Sequence, residues 1–75
     1  MSVQVFYFAL LREERGCSQE ERTIEPGTSV SELFSMIFGR KPIGIRFAMN
    51  QSYVSAAAIP SEGDEIAFLP PLGGG

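Results

Sequence analysis

The residues with the clearest chemical potential stand at the C-terminal end, where Gly73-Gly74-Gly75 follow the apolar segment Phe68-Leu69-Pro70-Pro71-Leu72. Glycine has no Cβ, so this run forms a thin tail with access to backbone conformations that other residues avoid. Pro70 and Pro71 lack N–H groups and cannot continue a central strand. An extended tail would hold the Gly75 carboxylate about 13 Å from the domain. The pattern predicts insertion into another protein's active site; a frayed terminus or a cloning remnant is the alternative.

The rest of the chain offers few groups for catalysis. It has no histidine and one cysteine, Cys17, which excludes an internal disulfide and a usual zinc site. The sequence shows no constellation of acid, base and nucleophile. We therefore expect the chain to bind no cofactor itself and a partner to supply the catalytic side chains. We interpret Cys17 as incidental, and a single cysteine fits a reducing, cytoplasmic compartment.

Length and charge narrow the class of protein. With 75 residues and a net charge of −3, the chain is predicted to form one domain over residues 1–70 and a flexible tail over residues 71–75. The negative charge and the lack of a basic stripe argue against a nucleic-acid partner. A membrane partner is not expected, because no apolar run approaches the roughly 20 residues needed to span a bilayer. The sequence also begins without a basic leader, which argues against a secretory signal.

The sequence pattern predicts one helix clearly, between Ser29 and Gly39. Ser29 and Glu32 have the spacing of a capping box, in which each satisfies a backbone N–H of the other. An apolar stripe at helical spacing follows, and Gly39 ends it: Val30, Leu33, Phe34, Ile37 and Phe38. We predict that this stripe packs in the core.

Strand patterns surround this helix. Alternation and turn residues predict strands over residues 2–9, 20–24, 45–49, 52–55 and 65–69, with a short helical turn over residues 10–15 that Gly16 closes. The strand over residues 20–24 is polar and is predicted at a sheet edge, and Asn50-Gln51 form a hairpin turn. Residues 56–59 are ambiguous. The elements predict a two-layer α+β fold with the helix on one face of the sheet.

The two faces of that sheet differ in their predicted role. Alternation directs Val3, Val5, Tyr7, Ile66 and Phe68 toward the helix. The opposite face would carry an exposed apolar patch formed by Phe6, Phe8, Leu69 and Tyr53, of the kind that marks an interaction site. For Tyr53, core packing with a bonded hydroxyl is the alternative. Patch and tail emerge from the same strand, which favours a docking function.

Several short motifs together resemble a known family. They are Phe6-Tyr7-Phe8-Ala9, Arg12-Glu13, Gly16, Asn50-Gln51, Gly63-Asp64-Glu65 and Phe68-Leu69-Pro70-Pro71 before Gly74-Gly75. The chain looks like the small subunit of molybdopterin synthase, a family of ubiquitin-like sulfur carriers. The resemblance implies a β-grasp fold, with a mixed sheet of four to five strands covered on one face by one main helix. The stretch over residues 39–45 is shorter than usual, and Gly73 replaces a residue that is more often small and polar.

The resemblance also implies a mechanism and partners. An activating enzyme would use ATP to adenylate Gly75, and sulfur would then convert it to a thiocarboxylate. Within a heterotetrameric synthase, the large subunit would let this sulfur attack the pterin precursor, cyclic pyranopterin monophosphate. Gly74 belongs to the reactive tail. The implied partner contacts are Phe8, Arg12, Tyr53, Leu69, Pro70, Pro71, Leu72 and Gly73, with Arg12 the polar one near the activating enzyme.

Three other functions remain open at this point. A carrier for thiazole synthesis or tRNA thiolation would share the Gly-Gly ending, although such carriers seldom have the Phe-Leu-Pro-Pro segment. A ubiquitin-like modifier would join Gly75 to target lysines. An ordinary binding module would have an inert tail.

Overall fold

The computed structural model describes residues 1–71, which form five strands and two helices. In chain order these are β1 (Ser2–Tyr7), α1 (Ala9–Arg15), β2 (Gln19–Thr23), α2 (Val30–Phe38), β3 (Arg46–Met49), β4 (Ser52–Val54) and β5 (Glu65–Leu69). The predicted tail residues Leu72, Gly73, Gly74 and Gly75 lie outside the described residues, so the division at residue 70 stays a prediction. No helix in the described part is long and apolar enough to cross a membrane.

The strands form one mixed sheet in the order β2-β1-β5-β3-β4. The first and last strands lie side by side and parallel at its centre, with Val5 opposite Ile66 and Tyr7 opposite Phe68. The other neighbours pair antiparallel, and β2 lies at an edge as predicted. The predicted α+β class, the strand number and the central pairing of first and last strands agree with a β-grasp fold.

Helix α2 begins at the predicted capping box. Glu32 N–H donates to Ser29 Oγ at 3.1 Å, and Ser29 N–H donates to Glu32 Oε1 at 3.0 Å. Gly39 ends the helix in the left-handed conformation, with φ 71°. The ambiguous residues 56–59 also support this terminus, because the carbonyls of Ala58 and Ala56 accept from the next two N–H groups of the helix. A loop thereby satisfies donors that a helix start leaves free.

The core lies between α2 and the inner face of the sheet. As predicted, that face buries Val3, Val5, Tyr7, Ile66 and Phe68, and α2 buries Val30, Leu33 and Phe34 against them. The Phe34 and Phe68 rings meet edge to face, with centroids 5.2 Å apart, a favourable aromatic geometry. Leu11 of α1 joins the same cluster. Both helices thus fill one core and leave the outer face of the sheet to solvent.

The first strand is shorter than predicted. It ends at Tyr7 rather than at residue 9, because Phe8 caps α1 and Ala9 enters the helix with φ 51°. The helical turn predicted over residues 10–15 is a seven-residue helix closed by Gly16, as expected. Early entry into α1 brings Leu11 to the core and turns Phe8 out of the strand. Strand β5 has the predicted limits, β2 is shifted by one residue, and β3 and β4 are each one residue shorter than predicted.

Candidate functional site: the outer face and the tail exit

A row of residues crosses the outer face of the sheet. Phe6 lies opposite Ala67, Ala67 opposite Ala48, and Ala48 opposite Tyr53. In β1, β3 and β5 the neighbours of these residues along the strand lie in the core or pack against it, so alternation places this row on the face away from α2. Leu69 follows two residues after Ala67 on the same side. The predicted patch residues Phe6, Phe8, Tyr53 and Leu69 therefore lie on one side of the sheet, and the structure adds Ala67 and the buried Ala48 between them. We call these six residues the outer-face patch.

The outer-face patch contains an open concavity of about 270 Å³. Phe6, Phe8 and Ala67 line it, with the polar residues Gln51 and Glu65 at its rim. Phe8 is 43% exposed and Tyr53 69% exposed, although both are large side chains. Ala67 is small, so it leaves room between its aromatic neighbours. The shape suits a protruding apolar side chain of a partner protein.

The hairpin turn beside this concavity is fixed by hydrogen bonds. Asn50 and Gln51 both have positive φ, 52° and 71°, a conformation that asparagine tolerates well. The Asn50 side chain accepts from Glu65 N–H at 3.0 Å and donates to Asp64 Oδ1 at 3.1 Å. The Ser61 N–H and then the Asn50 amide lower the pKa of Asp64 by bonding its carboxylate. The turn predicted at Asn50-Gln51 thus holds the rim of the concavity to β5.

The base of the tail is held by residues that the sequence analysis missed. Arg46 lies opposite Leu69, and its Nη2 donates to the Pro70 carbonyl at 3.5 Å. Its Nη1 donates to the Tyr53 hydroxyl at 3.2 Å. Gly44 lies near Pro71, since a Cβ added to it would be at ordinary van der Waals distance, 3.6 Å from Pro71 Cγ. In the sequence Arg46 is a single cation within a predicted strand. Its position at the base of the tail can be recognised only when the register between β3 and β5 is known.

Comparison with known proteins identifies the family. A profile described as the ThiS family matches residues 5–75. The chain belongs to the ThiS family. It is also 32% identical over 83 residues to the molybdopterin synthase sulfur carrier subunit of Chlamydomonas reinhardtii, with all of both chains covered. The protein of the same description from Mycobacterium tuberculosis is 30% identical over 84 residues, covering 100% of this chain and 99% of that one. The predicted membership of a sulfur-carrier family that includes the molybdopterin synthase small subunit is confirmed.

Solved structures confirm the β-grasp prediction. The putative molybdopterin converting factor subunit 1 from Pyrococcus furiosus is 27% identical, with a TM-score of 0.79 over 96% of this chain and 99% of that one. SAMP1 from Haloferax volcanii is 21% identical and superposes with a TM-score of 0.80 over the whole of both chains. A complex of subunits 1 and 2 of the molybdopterin-converting factor from Helicobacter pylori contains a chain 20% identical, with a TM-score of 0.65 over the whole of both chains. The similarities to the Haloferax volcanii and Helicobacter pylori proteins show a shared fold.

The structure of this ThiS-family chain brings most of the predicted contact residues together. Phe8 and Tyr53 are exposed and Leu69 is half-buried on the outer-face patch, while Pro70 and Pro71 continue from its edge. For Tyr53 the core-packing alternative is wrong, because its ring lies in solvent under the Arg46 guanidinium, 5.6 Å from the centroid. Leu72, Gly73, Gly74 and Gly75 lie outside the described residues. Their predicted roles stay predictions.

Arg12 lies beside the patch on α1. Its side chain is exposed, and its backbone N–H donates to the Phe8 carbonyl at 3.4 Å, one helical turn away. A polar cluster fixes this helix: the Tyr7 hydroxyl donates to Glu20 Oε2, and Arg15 Nη2 lies 2.9 Å from the same oxygen. Burial, reinforced by the Glu20 carboxylate, raises the pKa of Tyr7 well above its usual range. The cluster ties α1 to β2 and thereby fixes the position of Phe8 and Arg12.

The described residues show no metal centre. Within residues 1–71 no group of three Cys, Asp or Glu side chains is arranged to hold a metal ion. The expectation that the chain binds no cofactor itself stays a prediction.

Proposed function

We propose that this protein is the sulfur carrier of a molybdopterin synthase, with the Gly75 carboxylate as the group that carries sulfur. The observation that carries the proposal is the full-length similarity to proteins described as molybdopterin synthase sulfur carrier subunits. The structure adds a physical reason: the strand that leads to the tail, β5, also supplies Ala67 and Leu69 to the outer-face patch. Docking of the patch therefore brings the tail to the same partner.

The chemistry begins with activation, because a free carboxylate is a poor acyl donor. An ATP-dependent activating enzyme would join the Gly75 carboxylate to AMP and release pyrophosphate. The terminal sulfur of a protein persulfide would then displace AMP to give an acyl disulfide, and a thiol would break its S–S bond, leaving a thiocarboxylate on Gly75 and a disulfide on the donor. This sulfur is a nucleophile, and in the synthase it would attack cyclic pyranopterin monophosphate. Hydrolysis of the acyl–sulfur bond would leave the sulfur on the pterin and return the Gly75 carboxylate, and two such transfers would build the dithiolene of molybdopterin. The chain provides the positioned reactant, and its partners provide ATP binding and acid–base groups.

The outer-face patch would dock the large subunit of the synthase. The Helicobacter pylori protein that shares this fold occurs in a complex of subunits 1 and 2 of the molybdopterin-converting factor. That complex supports a large subunit as the partner. Aromatic side chains around an apolar depression are typical of interface centres. The activating enzyme and the large subunit both need the tail inside their own active sites. We therefore expect the two partners to bind in turn and to exclude one another.

Mass spectrometry tests the reactive group directly. The purified chain is incubated with the activating enzyme, ATP and a persulfide donor, and its intact mass is measured. We expect the mass to rise by the difference between sulfur and oxygen, and we expect the product to convert cyclic pyranopterin monophosphate when the large subunit is added. A variant that lacks Gly75 should fold normally but gain no sulfur. Normal molybdopterin formation by this truncated variant would contradict the proposal.

The same incubation separates the remaining alternatives. A ubiquitin-like modifier would form Gly75-dependent adducts of higher mass on denaturing gels. A carrier for thiazole or tRNA thiolation would gain sulfur but would fail to convert the pterin precursor. A binding module with an inert tail would gain no sulfur at all.

A further inference from the structure

The base of the tail, Pro70 and Pro71, lies beside a short segment formed by the start of β3 and the loop before it. Arg46 faces Leu69 across the strand pair, and its Nη2 reaches the Pro70 carbonyl. A Cβ added at Gly44, whose φ is 77°, would lie at ordinary van der Waals distance from the Pro71 ring, 3.6 Å from Cγ. Pro70 and Pro71, the base of the tail, therefore lie beside one segment, and the Arg46 side chain is the group of that segment that bonds to this base.

The Arg46 guanidinium is itself held in place. Tyr53 of β4 accepts a hydrogen bond from Nη1 at 3.2 Å and places its ring 5.6 Å below the guanidinium carbon. Arginine suits this position because its planar fork can stack on a ring and donate in two directions. Its Nε is shielded from solvent and has no acceptor among the described residues. A buried donor without an acceptor is unfavourable for folding, so domain stability alone does not account for this arginine.

The direction of the tail at its base matters for its chemistry. Proline fixes φ, so Pro70 and Pro71 transmit their orientation to the residue that follows. The glycines beyond them are permissive and add little stiffness of their own. The end of such a tail reaches a reacting group efficiently only if its base points toward that group, because catalysis depends on near-attack geometry. A residue that orients the base therefore affects the chemical step rather than the docking step.

We propose that Arg46, held by Tyr53, is a positioning residue that directs the C-terminal tail from the outer-face patch into the partner's active site. The proposal rests on the proposed function, since it assigns Arg46 a role in sulfur transfer from Gly75. Arg46 acts through the Pro70 carbonyl and does not contact the reacting atoms. It therefore governs the rate of transfer within the complex and leaves the affinity of the complex largely to the apolar patch.

The test compares Arg46→Met with Arg22→Met. Methionine keeps an unbranched stem on the ring of Tyr53 but has no donors. Arg22 lies on β2 at the opposite edge of the sheet, and its replacement changes the net charge by the same amount. The thiocarboxylated proteins are mixed with saturating large subunit, and single-turnover conversion of cyclic pyranopterin monophosphate is timed. We expect a rate about ten-fold lower for Arg46→Met, and a wild-type rate for Arg22→Met.

Calorimetry and thermal unfolding complete this comparison. We expect the dissociation constant for the large subunit to be unchanged in Arg46→Met, and the domain to remain folded. Arg46→Lys, which keeps the charge but can donate in fewer directions, should show an intermediate rate and serves if the methionine variant does not fold. A wild-type rate at saturation, with or without weaker binding, would overturn the proposal. Weaker binding would then make Arg46 a docking residue.

A measurement on the isolated protein separates this proposal from the proposed function. The ¹H–¹⁵N nuclear Overhauser effect at the Leu72 amide reports local order directly after the two prolines. We expect a lower value in Arg46→Met than in the wild type and in Arg22→Met. If the wild type gains no sulfur, the proposed function fails, whereas a drop in this value still shows that Arg46 orders the tail. An unchanged value refutes the positioning role irrespective of sulfur transfer.

Discussion

Replacing Ala67 by lysine should block docking without unfolding the domain. Ala67 lies at the centre of the outer face, opposite Phe6 and Ala48, and lines the concavity of about 270 Å³. A lysine there fills the space with a charged chain. A large apolar side chain of the partner that enters this space gains about 1.5–3 kcal/mol from burial, and the variant would lose that contribution and desolvate an ammonium group.

The expected loss is about 3 kcal/mol, which corresponds to a dissociation constant roughly a hundred times higher. Isothermal titration calorimetry with the large subunit measures it. The stability of the free domain should fall by no more than about 1 kcal/mol, or about 4–8 °C in Tm, because the lysine can extend into solvent. Thr23→Lys is the matched control, since Thr23 is exposed on β2 at the edge of the sheet and gains the same charge.

Three outcomes would refute this reasoning. Wild-type affinity of Ala67→Lys would show that the concavity lies outside the interface. A large fall in Tm would show that Ala67 belongs to the core and that the assignment of the outer face is wrong. Equal losses of affinity in Ala67→Lys and Thr23→Lys would indicate a general charge effect in place of a specific site.

Three further predictions concern the helix, the polar cluster and the tail. Ser29→Ala removes the acceptor for the Glu32 N–H and should cost about 1 kcal/mol in urea unfolding; no change would show that water replaces the cap. The raised pKa of Tyr7 means that the folded state holds the phenol proton more tightly than the unfolded state. The protonated Tyr7 should therefore contribute fully to the free energy of unfolding below about pH 10, and this contribution should decline above it. Urea unfolding at several pH values should show the decline in the wild type and not in Tyr7→Phe. Gly74→Val should leave docking intact in a pull-down but block pyrophosphate exchange, because an activating channel has little room for a Cβ; normal exchange would show that the glycines provide flexibility alone.

Much of the fold could be predicted because the relevant interactions are local. The capping box joins Ser29 to Glu32, three residues away, and the apolar stripe of α2 repeats within two turns. Alternation likewise assigned Val5 to the core and Leu69 to the outer face without knowledge of the strand order. These features depend on backbone geometry over a few residues. The outer-face patch followed from them once both faces of the sheet were seen to be apolar.

The terminus carries the other information that is readable from sequence. Glycine and proline have fixed backbone consequences, so the order Pro70-Pro71 and then glycine predicts a slender tail whatever the fold. The resemblance of these motifs to the sulfur carriers led to the correct family. The roles of Gly74 and Gly75 stay predictions, because they depend on chemistry with a partner.

Pairing between distant residues was decided by the tertiary structure alone. Phe8 is the N-cap of α1 instead of a residue of β1, and the helix that follows places Leu11 in the core. Arg46 reaches the base of the tail only because β3 pairs with β5 in the register that sets it opposite Leu69. A shift of one residue would turn Arg46 to the other face, and no local pattern specifies that register. The sequence by itself determined which faces are apolar and predicts where the tail begins, whereas the long-range strand pairing decided which side chain bonds to the Pro70 carbonyl at its base.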